Sequence, residues 1–163
     1  MKTRVTTALI VMLMAGWLGG CGAEQPSVPA ATSEPPRAPG LRIAMIAKST
    51  TNPIFVSARK GAETAAKELA EKHGLHIEIV WMTPDNEDAQ LQAVAIAQAV
   101  KDRASAILIS CSDAGKVTGA INEAVDRGVP VMTFDSDAAQ SKRFAFYGVD
   151  DEQLGRAVMR ELA

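Results

Sequence analysis

Residues 129–137 have the sequence VPVMTFDSD, a short apolar run that follows Gly128 and ends in two carboxylates. The run is rich in β-branched and aromatic residues, which is typical of a strand buried on both faces of a sheet. Asp135 then lies at the point where this strand leaves the sheet. Because ligands of open parallel α/β sheets bind at the carboxyl ends of the strands, the position of Asp135 predicts a binding site at that edge.

Strand-like and helix-like segments alternate along the chain from residue 41. Short apolar runs predict further strands over residues 41–46, 77–82, 106–110 and 145–149. Helical spacing and capping residues predict helices over residues 54–73, from the acidic stretch 85–88 to residue 100, over 113–127 and from 151 onward. Asp113 is an expected N-cap, and Gly74 and Gly128 are expected helix stops. Repeats of roughly 30 residues are successive βαβ units, so we expect an α/β fold with a three-layer (αβα) parallel sheet.

In such a sheet all loops that follow strands open at one edge, here residues 47–53, 83–87, 110–114 and 135–142. None of these loops contains the glycine-rich sequences that bind dinucleotides or triphosphates. The chain also lacks a Gly-x-Ser-x-Gly elbow and a His or Cys cluster. We therefore expect no cofactor, no metal and no catalytic residue at this edge.

Asn52, Phe55 and Asp135 together suit a polyhydroxylated ligand. Asn52 can donate and accept hydrogen bonds, and the Asp135 carboxylate can bridge two neighbouring hydroxyl groups. Phe55, in the first helical turn after Pro53, offers a flat apolar face to ligand C–H groups. Each residue also has a purely structural interpretation, since Asn-Pro is common in turns, Phe55 suits the core, and an Asp at a strand end is often a cap.

The N-terminus has the pattern of a secretory signal. Lys2 and Arg4 precede an apolar run over residues 8–18, which is shorter than the ~20 residues of a membrane-spanning helix. The sequence LGGC, which ends at Cys21, resembles the lipobox of bacterial lipoproteins, in which the Cys is acylated. We expect a signal peptide over residues 1–20, then lipidated Cys21 and a tether over 21–40 that holds five of the eight prolines. The alternative is an ordinary signal peptide with an incidental Cys.

Composition and the remaining Cys and His residues argue against other functions. The chain has 163 residues, 47% of them hydrophobic, and a net charge of −2, so nucleic acid is not an expected partner. If Cys21 carries lipid, Cys111 has no disulfide partner, and its place at the end of an apolar run indicates a buried, inert thiol. His73 and His76 flank the helix stop at Gly74 and are expected at the surface.

Three further stretches share their order and spacing with one known family. They are STTNPIF at residues 49–55, GVPVMTFD at 128–135, and YGVD at 147–150 together with Gly155. In turn they resemble the Asn-Pro-aromatic-aromatic loop, the Gly-[Ile/Val]-Pro-Val-x-x-x-Asp strand and the Gly-x-Asp…Gly segment of the sugar-binding bacterial periplasmic binding proteins. This ribose/xylose/galactose-type family has the type I fold, and the resemblance covers residues 41–160.

The resemblance implies a monomeric, non-catalytic lipoprotein of the periplasm or cell envelope, held to a membrane by its lipid anchor. Members of the family close two lobes on a monosaccharide and deliver it to the permease of an ABC importer. Residues 41–148 correspond to the N-terminal sugar-binding lobe, and residues 149–163 to the start of a second lobe. We expect this portion alone to bind sugar weakly or not at all, because the opposing lobe is missing from it.

The family's ligand-binding positions fall on particular residues of this chain. Asn52 and Phe55 correspond to residues that meet the sugar from the first loop. Asp135 corresponds to the main hydroxyl acceptor, and Ser110 to a residue beneath the ligand. Lys48 is a further candidate for contact with the ligand.

Two residues depart from the family pattern at this site. Ile54 replaces an aromatic residue, so stacking on the sugar is expected from one side only. Ser136 stands where ribose-type members often have Arg, which removes a guanidinium group and puts ribose itself in doubt. Ser136 remains a candidate ligand-binding residue.

Three other interpretations stay open at this point. The same fold can present a bound sugar to a membrane receptor or sensor kinase, as a sensing module rather than a transport component. The chain can also be a truncated, non-functional fragment. The third interpretation is an enzyme with Asp135 or Asp137 as its catalytic carboxylate, but the sequence offers no paired acid, base or metal for it.

Overall fold

The computed structural model describes residues 40–162. In chain order these residues form β1 (Gly40–Ile46), α1 (Pro53–His73), β2 (His76–Trp81), α2 (Ala89–Lys101), β3 (Ala106–Ile109), α3 (Ala114–Asp126), β4 (Val131–Phe134), β5 (Ala145–Tyr147) and α4 (Asp151–Glu161). Each predicted strand and helix is present, with its bounds shifted by a few residues. The predicted signal peptide, Cys21 and most of the tether lie outside the described residues.

The five strands are parallel and form one sheet in the order β2-β1-β3-β4-β5. Ile43 of β1 pairs with Ile79 of β2 on one side and with Ala106 of β3 on the other. The chain moves from β1 outward to β2 through α1, and then in the opposite direction through α2 and α3. Because such crossovers are right-handed, α1 covers one face of the sheet, and α2 and α3 cover the other. This arrangement confirms the predicted three-layer α/β fold.

The main core lies between the sheet and helices α2 and α3. Successive strand residues point to opposite faces, so alternate residues of β1, β3 and β4 enter this layer. Its buried apolar residues include Ala44, Ile46, Ala89, Ile96, Ala99, Ile107, Ile109, Val117, Ile121, Ala124 and Val131. On the other face, α1 packs on β2, where the Arg59 guanidinium lies 5.3 Å from the centroid of the Trp81 ring.

Helix α2 buries a different stripe from the one that its large apolar residues suggest. Leu91 and Val94 fit helical spacing, yet they are 52% and 65% exposed. The buried residues are Ala89, Gln92, Ile96 and Ala99. Alanine lets the helix approach the sheet closely, and the Gln92 amide finds hydrogen-bond partners there, so its burial leaves no polar group unpaired.

Each helix begins at a residue whose side chain accepts a hydrogen bond from the first turn. These N-caps are Asn52, Asp88, Asp113 and Asp150. Asp113 is thereby confirmed as a cap. Gly74 ends α1 with a φ of 64°, a left-handed conformation that glycine adopts without steric cost.

Strand β5 forms one edge of this sheet, and helix α4 follows it in the chain. None of the described side chains of α4 is buried, and its apolar residues Leu154, Val158 and Met159 are exposed. Within residues 40–162, no helix combines the length and the apolar character needed to cross a membrane.

Candidate ligand-binding site

Asp135 leaves β4 with a φ of 60°, in the left-handed region that residues other than glycine rarely adopt. Asp is one of the few residues that tolerate this conformation, since its short polar side chain can hydrogen-bond locally. The Asp135 N–H donates to the Tyr147 carbonyl at 3.0 Å, and the Cys111 N–H donates to the Ser136 carbonyl at 3.0 Å. These bonds fix the turn between β5 and the loop that follows β3.

Three side chains contact the Asp135 carboxylate, all at the same oxygen. Oδ2 accepts hydrogen bonds from Ser110 Oγ at 2.8 Å and from Ser136 Oγ at 3.1 Å. The Lys48 ammonium lies 3.6 Å from that oxygen. Within residues 40–162, Oδ1 has no side-chain hydrogen-bond donor, and 45% of the side chain is exposed. The carboxylate is thus held in place through one oxygen, while the other has no partner among the described side chains.

The contacts of Asp135 come from three separate loops at the carboxyl ends of the strands. Lys48 follows β1, Ser110 follows β3, and Asp135 and Ser136 follow β4. The structure therefore brings four of the six candidate residues together. The opposite charges of Lys48 and Asp135 compensate each other locally, which suits a ligand that carries hydroxyl groups rather than a net charge.

Asn52 lies at the same edge and caps α1. Its Oδ1 accepts a hydrogen bond from the Ile54 N–H at 3.0 Å, and its amide NH₂ group has no acceptor within residues 40–162. The loop around it is fastened to the loop after β2, because Thr50 donates its N–H to the Pro84 carbonyl at 3.0 Å and its hydroxyl to Asp85 at 3.2 Å. The structural role of Asn52 as a cap thus leaves one donor group free.

Phe55 lies beneath the edge rather than on its surface. Only 4% of the residue is exposed. Its ring packs edge-to-face against Phe134, with centroids 6.4 Å apart and an interplanar angle of 80°. Phe55 therefore supports the residue that precedes Asp135, and its contact with a ligand stays a prediction. Ile54, where the family has an aromatic residue, is 67% exposed.

Gln92 of α2 is a buried residue that ties two of these loops together. Its amide NH₂ group donates to the Ala47 carbonyl at 2.9 Å and to the Ser110 carbonyl at 2.8 Å. Its amide oxygen accepts from the Ser112 N–H at 2.9 Å. Ala47 precedes Lys48, so Gln92 fixes the backbone at two of the residues that contact Asp135. The sequence does not reveal this role, because the apolar spacing of Leu91 and Val94 suggests a different buried face of α2.

Asp137 is enclosed by its own set of partners. Its two carboxylate oxygens accept from the Arg143 guanidinium at 2.5 and 2.6 Å. It also accepts from the Thr133 hydroxyl at 2.6 Å and from the Ala138 N–H at 2.7 Å. Hydrogen bonding to Arg143 holds the pKa of Asp137 below its usual value and raises the pKa of Arg143. Fully paired in this way, Asp137 is not available as a free acid or base.

Cys111 is buried, as the sequence indicates, and it has no disulfide partner within residues 40–162. Burial raises the pKa of its thiol to about 12, with the nearby Asp137 carboxylate adding to the effect. Thiolate, the reactive form, is therefore scarce at neutral pH. His73 and His76 are exposed around the C-terminal end of α1, away from the loops that carry Asp135.

Comparison with known proteins places this chain in a family. The sequence profile described as "Periplasmic binding protein domain" matches residues 43–163. The ribose import binding protein RbsB of Bacillus subtilis is 30% identical over 142 residues, which are 87% of this chain and 43% of that protein. The D-ribose/D-allose-binding protein of Pseudomonas aeruginosa is 28% identical over 158 residues, 93% of this chain and 48% of that protein. The chain thus spans less than half the length of these two relatives.

Solved structures agree with the sequence matches. GanP, a glucose-galactose binding protein from Geobacillus stearothermophilus, aligns with a TM-score of 0.66 at 27% identity over 76% of this chain and 42% of its own. LsrB from Clostridium saccharobutylicum in complex with AI-2 aligns with a TM-score of 0.62 at 33% identity over 74% of this chain and 35% of its own. The XylFII–LytSN complex gives a TM-score of 0.63 at 26% identity over 76% of this chain and 43% of the matched chain. The chain therefore belongs to the periplasmic binding protein family and has the type I fold of its sugar-binding members.

Proposed function

We propose that this chain supplies one lobe of a solute-binding protein that captures a monosaccharide-like ligand without changing it chemically. The observation that carries the proposal is the Asp135 carboxylate, which is held through Oδ2 by Ser110, Ser136 and Lys48 and keeps Oδ1 open. A fixed carboxylate with one free oxygen beside an ammonium group can accept from one sugar hydroxyl while the ammonium donates to its neighbour.

The wider edge supports the same ligand class. The free NH₂ group of Asn52 adds a donor, and the Phe55–Phe134 pair supplies an apolar floor below the polar groups. Such a mixture of apolar surface and a few placed polar groups is typical of small-molecule sites. The relatives named for ribose, allose, glucose and galactose binding agree with a neutral, hydroxyl-rich ligand.

The import role of RbsB supports delivery of the ligand to the permease of an ABC importer. Membership of the periplasmic binding protein family supports a location in the periplasm or cell envelope. The lipobox-like sequence that ends at Cys21 supports a lipid anchor there. Within the proposed domain division, residues 41–148 form the binding lobe and residues 149–163 begin the second lobe.

One observation favours a second candidate function. The matched XylFII structure is a complex with LytSN, so a binding protein of this fold has a second molecule as its partner there. By analogy, this chain would present its bound sugar to a membrane receptor or sensor kinase. The two candidate functions share the site at Asp135 and differ only in the partner protein that recognises the ligand-bound form.

A saturation-transfer NMR screen of pentoses and hexoses tests the shared part of the proposal. This lobe by itself is expected to bind sugar only weakly, and saturation transfer detects weak binding, so at least one sugar should receive magnetisation from the wild-type chain. Asp135→Ala should weaken that sugar's binding about 10- to 100-fold, since a hydrogen bond to a charged group contributes about 1.5–3 kcal/mol. Asp126→Ala, on α3 away from this edge, is the matched control and should bind like wild type. Equal binding by the Asp135→Ala variant would refute the site.

A further inference from the structure

We propose that the Asp137–Arg143 ion pair is a positioning element that holds Asp135 in its ligand-binding conformation, an inference that rests on the proposed function. The pair closes the loop that connects β4 to β5. Asp137 lies two residues after Asp135, and Arg143 lies near the end of the loop, just before β5. Both carboxylate oxygens of Asp137 accept from the guanidinium group, at 2.5 and 2.6 Å.

The environment of the pair distinguishes it from the other ion pairs within residues 40–162. The Arg143 and Asp137 side chains are 22% and 21% exposed, whereas each of the other pairs has at least one partner that is 45% exposed or more. Exposed pairs contribute little because water screens them and the side chains must be ordered. A bidentate, half-buried Arg–carboxylate pair keeps its geometry far better.

The pair acts on Asp135 through Thr133. The hydroxyl of Thr133, a fully buried residue of β4, donates to Asp137 at 2.6 Å. Asp135 lies midway between these two residues, so its backbone is held from both sides. The Asp137 carboxylate thereby links β4, the Asp135 turn and the segment that leads into β5.

This restraint matters because Asp135 has a φ of 60°. For a typical non-glycine residue the left-handed region is less populated than the usual conformations by a factor of about 5 to 30, and Asp, which tolerates this region better, lies at the low end of that range. Two backbone hydrogen bonds, from the Asp135 N–H to Tyr147 and from the Cys111 N–H to Ser136, also hold this turn. Without the ion pair they would hold it alone, so the backbone of Asp135 would relax in most molecules and its carboxylate would leave Ser110 and Lys48. If only a fraction of the molecules have the binding conformation, the apparent affinity for the ligand is reduced by that fraction.

Lys142, the residue before Arg143, belongs to a second ion pair that serves as the matched control. Lys142 pairs with Asp126 of α3 at 2.5 Å, and both side chains are more than half exposed. This pair attaches the same loop to a helix but makes no contact with Thr133 or the Asp135 turn. Removing it should leave Asp135 where it is.

The test uses the 163-residue chain with Asp137→Asn, Arg143→Lys and Asp126→Asn. Arg143→Lys keeps the charge but loses the bidentate fork. Without ligand, the intraresidue HN–Hα NOE and coupling constant of Asp135 report its left-handed φ. We expect Asp137→Asn and Arg143→Lys to lose most of this signature and to bind D-ribose or D-galactose about 5-fold more weakly. Asp126→Asn should keep both the signature and the affinity.

A second measurement asks whether the pair acts through Asp135 itself. In an Asp135→Ala background no carboxylate remains to be positioned, so adding Asp137→Asn should weaken sugar binding no further. A further loss there would overturn the proposal, because it would show that the pair acts on the site by another route.

The other possible results of these measurements also bear on the positioning role and on the proposed function. A folded Asp137→Asn variant that retains the left-handed signature of Asp135 would overturn the inference. The inference also fails if neither Asp137→Asn nor Arg143→Lys folds, because the pair would then be required for the fold as a whole. If wild type binds neither sugar while Asp137→Asn still loses the signature, the positioning role stands and the proposed function fails.

Discussion

Replacing Gln92 by Met tests how the carboxyl ends of β1 and β3 are held together. Gln92 is fully buried and makes three hydrogen bonds, to the carbonyls of Ala47 and Ser110 and from the N–H of Ser112. Met has nearly the same length and volume and fits a buried helix position. The substitution therefore removes the three hydrogen bonds while it leaves the packing of α2 on the sheet nearly unchanged.

The expected cost follows from the groups left without a partner. An unpaired buried polar group costs about 1–3 kcal/mol, and three are affected here. The Ser112 N–H lies at the margin of the core, and the thioether gains apolar burial, so both offset part of the loss. We expect a net destabilisation of about 2–4 kcal/mol, out of the roughly 5–15 kcal/mol that is typical of a folded domain.

Urea denaturation of the 163-residue chain, followed by circular dichroism, measures this difference. Gln90→Met is the matched control, because Gln90 is exposed on the same helix and its loss should change stability by less than about 0.5 kcal/mol. A loss below about 1 kcal/mol for Gln92→Met, or an equal loss for Gln90→Met, would show that these hydrogen bonds do not hold the loops together.

Two other predictions concern ionisable groups near Asp135. The folded-state pKa of Asp137 is lowered below its ordinary value of 3.8, so the stability it contributes is present above that value and is lost as the pH falls through the folded pKa. The gap in unfolding free energy between wild type and Asp137→Asn should stay constant from neutral pH to about pH 5 and narrow below about pH 4, and a gap that is independent of pH would contradict this. Cys111, with its thiol pKa raised to about 12, should resist iodoacetamide at about pH 8 in the folded chain and react in urea, as read by peptide mass mapping. Rapid alkylation without urea would contradict its burial.

The order of the elements is predictable from the sequence because its signals are local. Apolar runs of about four to eight residues, such as residues 106–110, mark strands wherever the chain places them. The cap at Asp113 and the stop at Gly74 depend only on neighbouring residues. Parallel pairing then follows from the βαβ repeat, and it brings the loops that carry Lys48, Ser110 and Asp135 to one edge.

The fine structure of the site depends on contacts between distant residues, which the sequence does not show. Leu91 and Val94 have helical spacing, yet the sheet selects the face of α2 that carries Gln92. Phe55 is buried because the ring of Phe134, on a separate strand, lies against it. The left-handed φ of Asp135 likewise depends on hydrogen bonds to β5 and to the loop after β3.

The measurement that tests the proposed site most directly is a ¹H–¹⁵N shift map of the chain titrated with the sugar that binds best. We expect saturable shifts at the amides of Lys48, Asn52, Ser110, Asp135 and Ser136, and their disappearance in Asp135→Ala. Saturable shifts confined to other regions, or an unchanged map in Asp135→Ala, would contradict the assignment of the site to the carboxyl edge of this sheet.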